Sequence, residues 1–105
     1  MNKIENNTQL NGTSFHGGII KTTPNDLIKL AESIGAEYNS DNSGEDKTNF
    51  DFRFMTDDGI PFSVYDWKEY RPLSLSETIE FHIGTFSNSD STTVVESLRK
   101  VLNKE

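Results

Sequence analysis

Asn49-Phe-Asp-Phe-Arg-Phe-Met-Thr-Asp-Asp-Gly-Ile-Pro-Phe-Ser-Val-Tyr-Asp-Trp67 is the stretch whose reading decides the fold. Phe50, Phe52 and Phe54 alternate with Asp51, Arg53 and Met55, the period-two pattern of a strand buried on one face only. Asp57-Asp58-Gly59 reads as a hairpin turn, because Gly59 can take positive φ. Ile60–Trp67 then returns as the partner strand. A third run, Thr78–Phe86, puts Ile79, Phe81 and Ile83 on one side and Glu80, His82 and Phe86 on the other.

Two helices flank these strands. In the first, Thr23 serves as N-cap, Pro24 fits the first helical position and Asp26 lies in the first turn. Leu27, Ile28, Leu30, Ala31 and Ile34 then form one apolar face, and Gly35 stands where a left-handed C-cap belongs. The spacing predicts a helix over about 24–34. The second is capped by Asp90 or Ser91 and carries Val94, Val95, Leu98, Val101 and Leu102 as its stripe, with Lys100 and Lys104 toward its C-terminal end. Upstream, Gly12–Thr22 suits a strand, with Gly17-Gly18 marking a bulge or a close approach to the backbone. Residues 1–11 read as a flexible tail and Glu37–Thr48 as a mobile polar loop.

The order β-α-β-β-β-α implies one α+β domain over 12–105. Its single antiparallel sheet has about four strands, and both helices pack on one face. Phe50, Phe52, Phe54, Phe62, Val64, Ile79, Phe81 and Ile83 form the core. Alternation leaves Arg53, Met55, Ser63, Tyr65, Trp67, Glu80 and His82, together with His16, on the face that no helix covers. A bare face that is aromatic and polar suits a ligand or a second subunit.

Composition narrows the function. Ten Lys and Arg against 17 Asp and Glu give a net charge of −7, which disfavours direct binding to nucleic acid or to an anionic membrane. With no cysteine, disulfides, iron–sulfur clusters, thiol catalysis and cysteine-ligated zinc are excluded. No apolar run approaches the roughly 18 residues of a membrane span, and the polar N-terminus lacks a signal-peptide core, so an intracellular protein is expected.

Asp66-Trp67-Lys68-Glu69-Tyr70-Arg71-Pro72 is the densest chemistry in the chain. Trp67 and Tyr70 offer flat stacking surfaces, Arg71 a bidentate anion fork and Lys68 a point charge. The same residues equally suit a hairpin end that covers the core edge. His82, beside the space left by Gly84, can donate to a phosphate or simply pair across strands with Glu80, Tyr65 or Ser63. His16 and Gly17 lie in Thr13-Ser-Phe-His-Gly-Gly18, whose backbone amides can cradle an anion, although the spacing is not that of a P-loop. Two histidines without HExxH or paired spacing request no metal, and no Gly-x-Ser-x-Gly elbow requests a nucleophilic serine.

Gly12-Thr-Ser-Phe-His-Gly-Gly-Ile19, Lys47-Thr-Asn-Phe-Asp-Phe52, Asp58-Gly59, Val64-Tyr-Asp-Trp-Lys68 and Phe81-His-Ile-Gly84 follow one another in an order that resembles a group of small bacteriophage and prophage proteins. These share a GTSF-x-G-x-I start and an HIG end. Thr85 stands where a second glycine often follows, and Phe81 where Trp is common. The resemblance covers about residues 12–102 and implies a counter-defence factor in the host cytoplasm. Under it, the expected function is non-enzymatic capture of a phosphorylated nucleotide-like immune signal, with no cofactor and no metal. Tyr65, Trp67 and Tyr70 would stack the base, Lys68, Arg71 and Arg53 would meet phosphate, and His16, His82 and Thr85 would bond polar edges. A homodimer or higher homo-oligomer would complete the pocket. The alternative is an acidic protein–protein inhibitor of a host restriction or CRISPR enzyme, possible as a DNA mimic, acting through Asp41, Glu45, Asp46, Asp57 and Asp58.

Overall fold

The phenylalanine alternation is realised as strand β4, Asp51–Met55, in which Phe52 and Phe54 are buried while Asp51, Arg53 and Met55 are half-buried. A computed structural model describes residues 1–45 and 47–102, so Asp46 of the acidic loop and Lys104 of the second helix lie outside the described residues. The other elements are β1 (Asn2–Lys3), a 3-10 turn (Asn7–Leu10), β2 (Ser14–Thr22), α1 (Pro24–Ile34), β3 (Tyr38–Asn39), β5 (Pro61–Tyr65), β6 (Ile79–Thr85) and α2 (Asn88–Leu102).

The sheet is antiparallel and six-stranded, in the order β1-β4-β5-β6-β2, with β3 also paired to β4. It exceeds the expected four strands by two short ones that share one edge of β4. β1 takes its far end (Asn2↔Met55, Lys3↔Phe54) and β3 its near end (Tyr38↔Phe52, Asn39↔Asp51). Two residues give too short a pattern for alternation to register, which is why both segments read as tail and loop. The expected tail is instead attached to the sheet, and its 3-10 turn is held by a capping box between Asn6 and Gln9. The polar loop is also anchored. The Asn42 amide donates to the Leu73 carbonyl and accepts from the Leu73 amide, both at 2.7 Å.

All eight expected core residues are buried, joined by Ile20, Leu27, Ala31, Val94 and Leu98. Both helices therefore lie on the phenylalanine face. Each fully buried Phe or Leu contributes about 1.5–3 kcal/mol. Helix α1 matches its expected bounds, with the Thr23 hydroxyl accepting the Asp26 amide at 3.1 Å and Gly35 at φ 70°. Helix α2 starts earlier than expected, at Asn88. The Ser87 hydroxyl accepts the Asp90 amide at 3.1 Å, making Ser87 the cap that Asp90 or Ser91 was expected to be.

α2 meets β2 at Gly18. A Cβ there would fall on the Ser91 hydroxyl and lie 3.2 Å from a Val95 methyl. Gly18→Ala is therefore expected to push α2 off the sheet and cost about 1–3 kcal/mol. For a domain of this size a thermal melt should register a drop of several degrees; an unchanged melting temperature would show that the helix yields freely.

Candidate ligand-binding face

Register fixes what the uncovered face carries. Asp51 lies opposite Tyr65, and Tyr65 opposite His82, on β4, β5 and β6. Along the next rung Arg53 lies opposite Ser63, Ser63 opposite Gly84, and Gly84 opposite Phe15 of β2. The second rung has a small centre, and the rings close around it.

Four rings form a continuous row. Phe15 stacks on His82 with centroids 4.2 Å apart and planes at 19°. His82 meets Tyr65 edge-on at 5.8 Å, and Tyr65 meets Trp67 edge-on at 6.0 Å. Such pairs contribute roughly 0.5–1.5 kcal/mol each beyond burial and hold the rings in place. The end rings remain open to solvent, Phe15 at 44% and Trp67 at 41% exposure. The Lys68 and Lys47 ammonium groups stand 5.5 and 5.7 Å from the centroid of the Trp67 ring. One end of the row is thus aromatic and cationic together, although the chain carries net charge −7.

A buried carboxylate builds that end. Asp66 accepts the backbone amides of Asn49 and Phe50, each at 2.8 Å, and the Asn49 side-chain amide at 3.0 Å. The Asn49 amide also donates to the Arg71 carbonyl at 3.0 Å. The segment between these clamps holds Lys68 at φ 56° and Tyr70 at φ 52°. A left-handed backbone is uncommon away from glycine, costs about 1–3 kcal/mol per residue, and clusters at binding sites.

The expected site residues divide between three places. Tyr65, Trp67, Lys68 and His82 are brought together in the row, and Arg53 lies on the same face with its guanidinium 3.8 Å from Asp51. Tyr70 is 54% exposed, and no ring contact joins it to the row among the described residues. Arg71, expected on phosphate, bonds Glu77 at 2.5 Å and lies 3.9 Å from Glu69. That bond holds the Glu77 carboxyl below the usual glutamate range, so Arg71 is already engaged.

His16, Gly17 and Thr85 are corrections. Phe15 takes the open face by pairing with Gly84, so His16 turns toward the helix side. There His16 and Gly17 line a cleft of about 500 Å³ with Ser91, Thr92, Val95 and Arg99, and His16 Nε2 lies 3.3 Å from the Ser14 hydroxyl. Thr85 follows Gly84 and so faces inward; it is buried, with its hydroxyl donating to the Ser87 carbonyl at 2.9 Å. Phe15 and Lys47 are functional candidates that the sequence reading missed. Register opposite Gly84 reveals Phe15, and only the backbone bond from Lys68 N–H to Lys47 O (2.7 Å) reveals Lys47.

Among the described residues the acids of the two loops divide between the two ends of β4. Asp41 and Glu45 precede β4, whereas Asp57 and Asp58 follow it, about 17 Å along a five-residue strand. Asp57 is already engaged by the Met1 ammonium at 2.5 Å and the Asn2 amide at 3.3 Å. Among the described residues no group of three His, Asp or Glu is placed to hold a metal ion, and no helix is long and apolar enough to cross a membrane. Comparison with protein-family models, with characterised proteins and with solved structures finds no match to this chain.

Proposed function

We propose that the open sheet face binds a phosphorylated, nucleotide-like ligand and retains it unchanged, as a sponge for a nucleotide signal of host defence. The observation that carries this reading is the ring row with two ammonium groups over its exposed tryptophan. An aromatic platform accepts any base by its π-face, for about 1–3 kcal/mol per base. Lys47 and Lys68 lie within a Debye length of about 8 Å from that platform, where their local field outweighs a distant net charge. The row is a shelf rather than an enclosed pocket, so a second copy facing it is the natural way to exclude water from the ligand. The counter-defence role comes from the resemblance to small phage proteins, and the acidic-inhibitor alternative draws no support from acids held at opposite ends of β4.

Trp67 is the only tryptophan, so its fluorescence reads the site directly. Titration with ATP, ADP-ribose and a cyclic dinucleotide is expected to give saturable quenching with at least one of them. Trp67→Ala, assayed by thermal shift, is expected to weaken binding at least tenfold, about 1.4 kcal/mol. The wild type at 100 times its dissociation constant should gain about 2.7 kcal/mol. Absence of both quenching and stabilisation across the panel would sink the proposal.

A further inference from the structure

Asn11 is the one asparagine in the chain that precedes a glycine. It caps the 3-10 turn, and Asn11-Gly12 leads through Thr13 into β2. Both residues are exposed, and Asn11 stands on the wall of a cleft of about 340 Å³ that Asp51 and Arg53 also line. Among the described residues the Asn11 side chain makes no hydrogen bond, and neither the Asn11 carbonyl nor the Gly12 N–H has a partner.

Other asparagines that precede a small residue are held differently. The Asn42 side chain bonds Leu73 twice at 2.7 Å, Asn39 Oδ1 accepts the Asp41 amide at 3.2 Å, and Asn88 begins α2. The comparable Asp58-Gly59 turn is closed by the Gly59 amide, which donates to the Thr56 carbonyl at 2.9 Å. At Asn11-Gly12 an unbonded carboxamide adjoins an unbonded backbone nitrogen whose own residue has no Cβ to crowd the approach. That nitrogen can close a five-membered ring onto the carboxamide, and the tether makes the attack intramolecular. Cyclisation requires the 11–12 peptide to turn out of its extended ψ of 126°. The bonds from Asn11 N–H to Thr8 O and from Thr13 N–H to Leu10 O, each 3.1 Å, bracket that peptide. A turn of this one plane, shared between Asn11 ψ and Gly12 φ, breaks neither of them. Gly12, now at φ 91°, accepts the new angle as readily as the old one.

We propose that Asn11-Gly12 is a self-modification site, where the Gly12 nitrogen attacks the Asn11 side chain and water then opens the resulting imide to an acid. The atoms balance with water as co-reactant and no change of oxidation state. The Gly12 nitrogen bonds Asn11 Cγ, the Cγ–Nδ2 bond breaks, and the Gly12 proton leaves with Nδ2 as ammonia. Water then adds across either imide C–N bond. Opening at Cγ gives aspartate; opening at the backbone carbonyl gives isoaspartate, whose main chain runs through Cβ and Cγ. Either product adds one negative charge to a chain of net charge −7, on the cleft wall shared with Arg53. The conversion requires no ligand on the open face.

Peptide mapping by mass spectrometry tests this on the chain held in warm neutral buffer, folded in one arm and unfolded by urea in the other. Because an exposed turn opens locally at little cost, Asn11 of the folded chain is expected to convert within about tenfold of its unfolded rate, with isoaspartate among the products. Asn39, Asn42 and Asn88 of the folded chain should convert about tenfold more slowly than Asn11, or slower still. Gly12→Ala, compared with the wild type in urea so that folding does not enter, should slow conversion at Asn11 by crowding the nucleophile. Asn11→Gln, which would need a six-membered ring, should remove the early amide-to-acid mass gain of the folded protein. A folded chain whose Asn11 stays intact while the unfolded chain converts overturns the proposal. So does conversion indifferent to Gly12→Ala, or an early mass gain that survives Asn11→Gln.

Discussion

Phe52→Ala is expected to bring the protein to the edge of unfolding. Phe52 is fully buried in the middle of β4 and pairs with Val64 across the sheet. Its ring contacts Tyr38 at 5.3 Å, Phe50 and Phe54 at 6.1 Å, and Phe81 edge-on at 6.4 Å. Phe81 pairs with Ile20 across β6 and β2, and Tyr38 with Phe52 across β3 and β4, so the backbones carrying these rings are fixed and the void can close only in part. Truncation of a large core aromatic costs about 3–5 kcal/mol, against a total of roughly 5–15 kcal/mol for a domain of this size. Urea denaturation should show the midpoint collapsing with little change of slope. A control at Val101, which is exposed, should move stability by less than about 0.5 kcal/mol. If Phe52→Ala cost under 1 kcal/mol, the stacked phenylalanines would not be the element that holds sheet to helices.

The same ring explains how much was legible in advance. Phe50, Phe52 and Phe54 announce both the strand and its buried face, because a period of two has no other reading in a sheet covered on one side. Tyr65 and His82 were placed together on the bare face by that parity alone, and their ring contact bears it out. Parity stops working where the strand is irregular. The shift between Phe15 and Ile19 in β2 breaks the count, which sent His16 to the wrong side and hid Phe15. It also stops at strand ends: Thr85 read as part of the site although it points inward, because Gly84 and not Thr85 shares the face with His82. Charges were harder still. Arg71, close in sequence to Trp67 and Tyr70, read as a phosphate ligand, but Glu77 folds back onto it from six residues ahead, a contact that no local pattern announces. Lys47 was lost in a polar loop whose path is set by Asn42 and Asn49 rather than by any pattern of hydrophobicity.

Asp66→Ala should produce the second large loss, and one that reaches the binding face. The carboxylate is wholly buried and accepts three hydrogen bonds, from Asn49 N–H, Phe50 N–H and the Asn49 amide. Alanine would leave those donors buried without an acceptor, at about 1–3 kcal/mol each, so a loss of about 3 kcal/mol or more is expected. Asp66→Asn keeps the shape but offers one acceptor oxygen and turns an NH2 toward the other donors; it should recover only part of the loss. The consequence extends along the chain because Asn49 also holds the Arg71 carbonyl and the Gly44 amide. Freed from that clamp, Lys68 and Tyr70 can leave their left-handed conformations and relieve the strain stored there. Trp67 would then swing away from Tyr65 and from the two lysines. Below the unfolding transition, the variant's tryptophan emission should shift and nucleotide quenching should weaken together. If stability fell while Trp67 emission stayed as in the wild type, Asp66 would support the core without positioning the ring row. If neither changed, the buried hydrogen-bond cluster would not be what orders this end of the sheet.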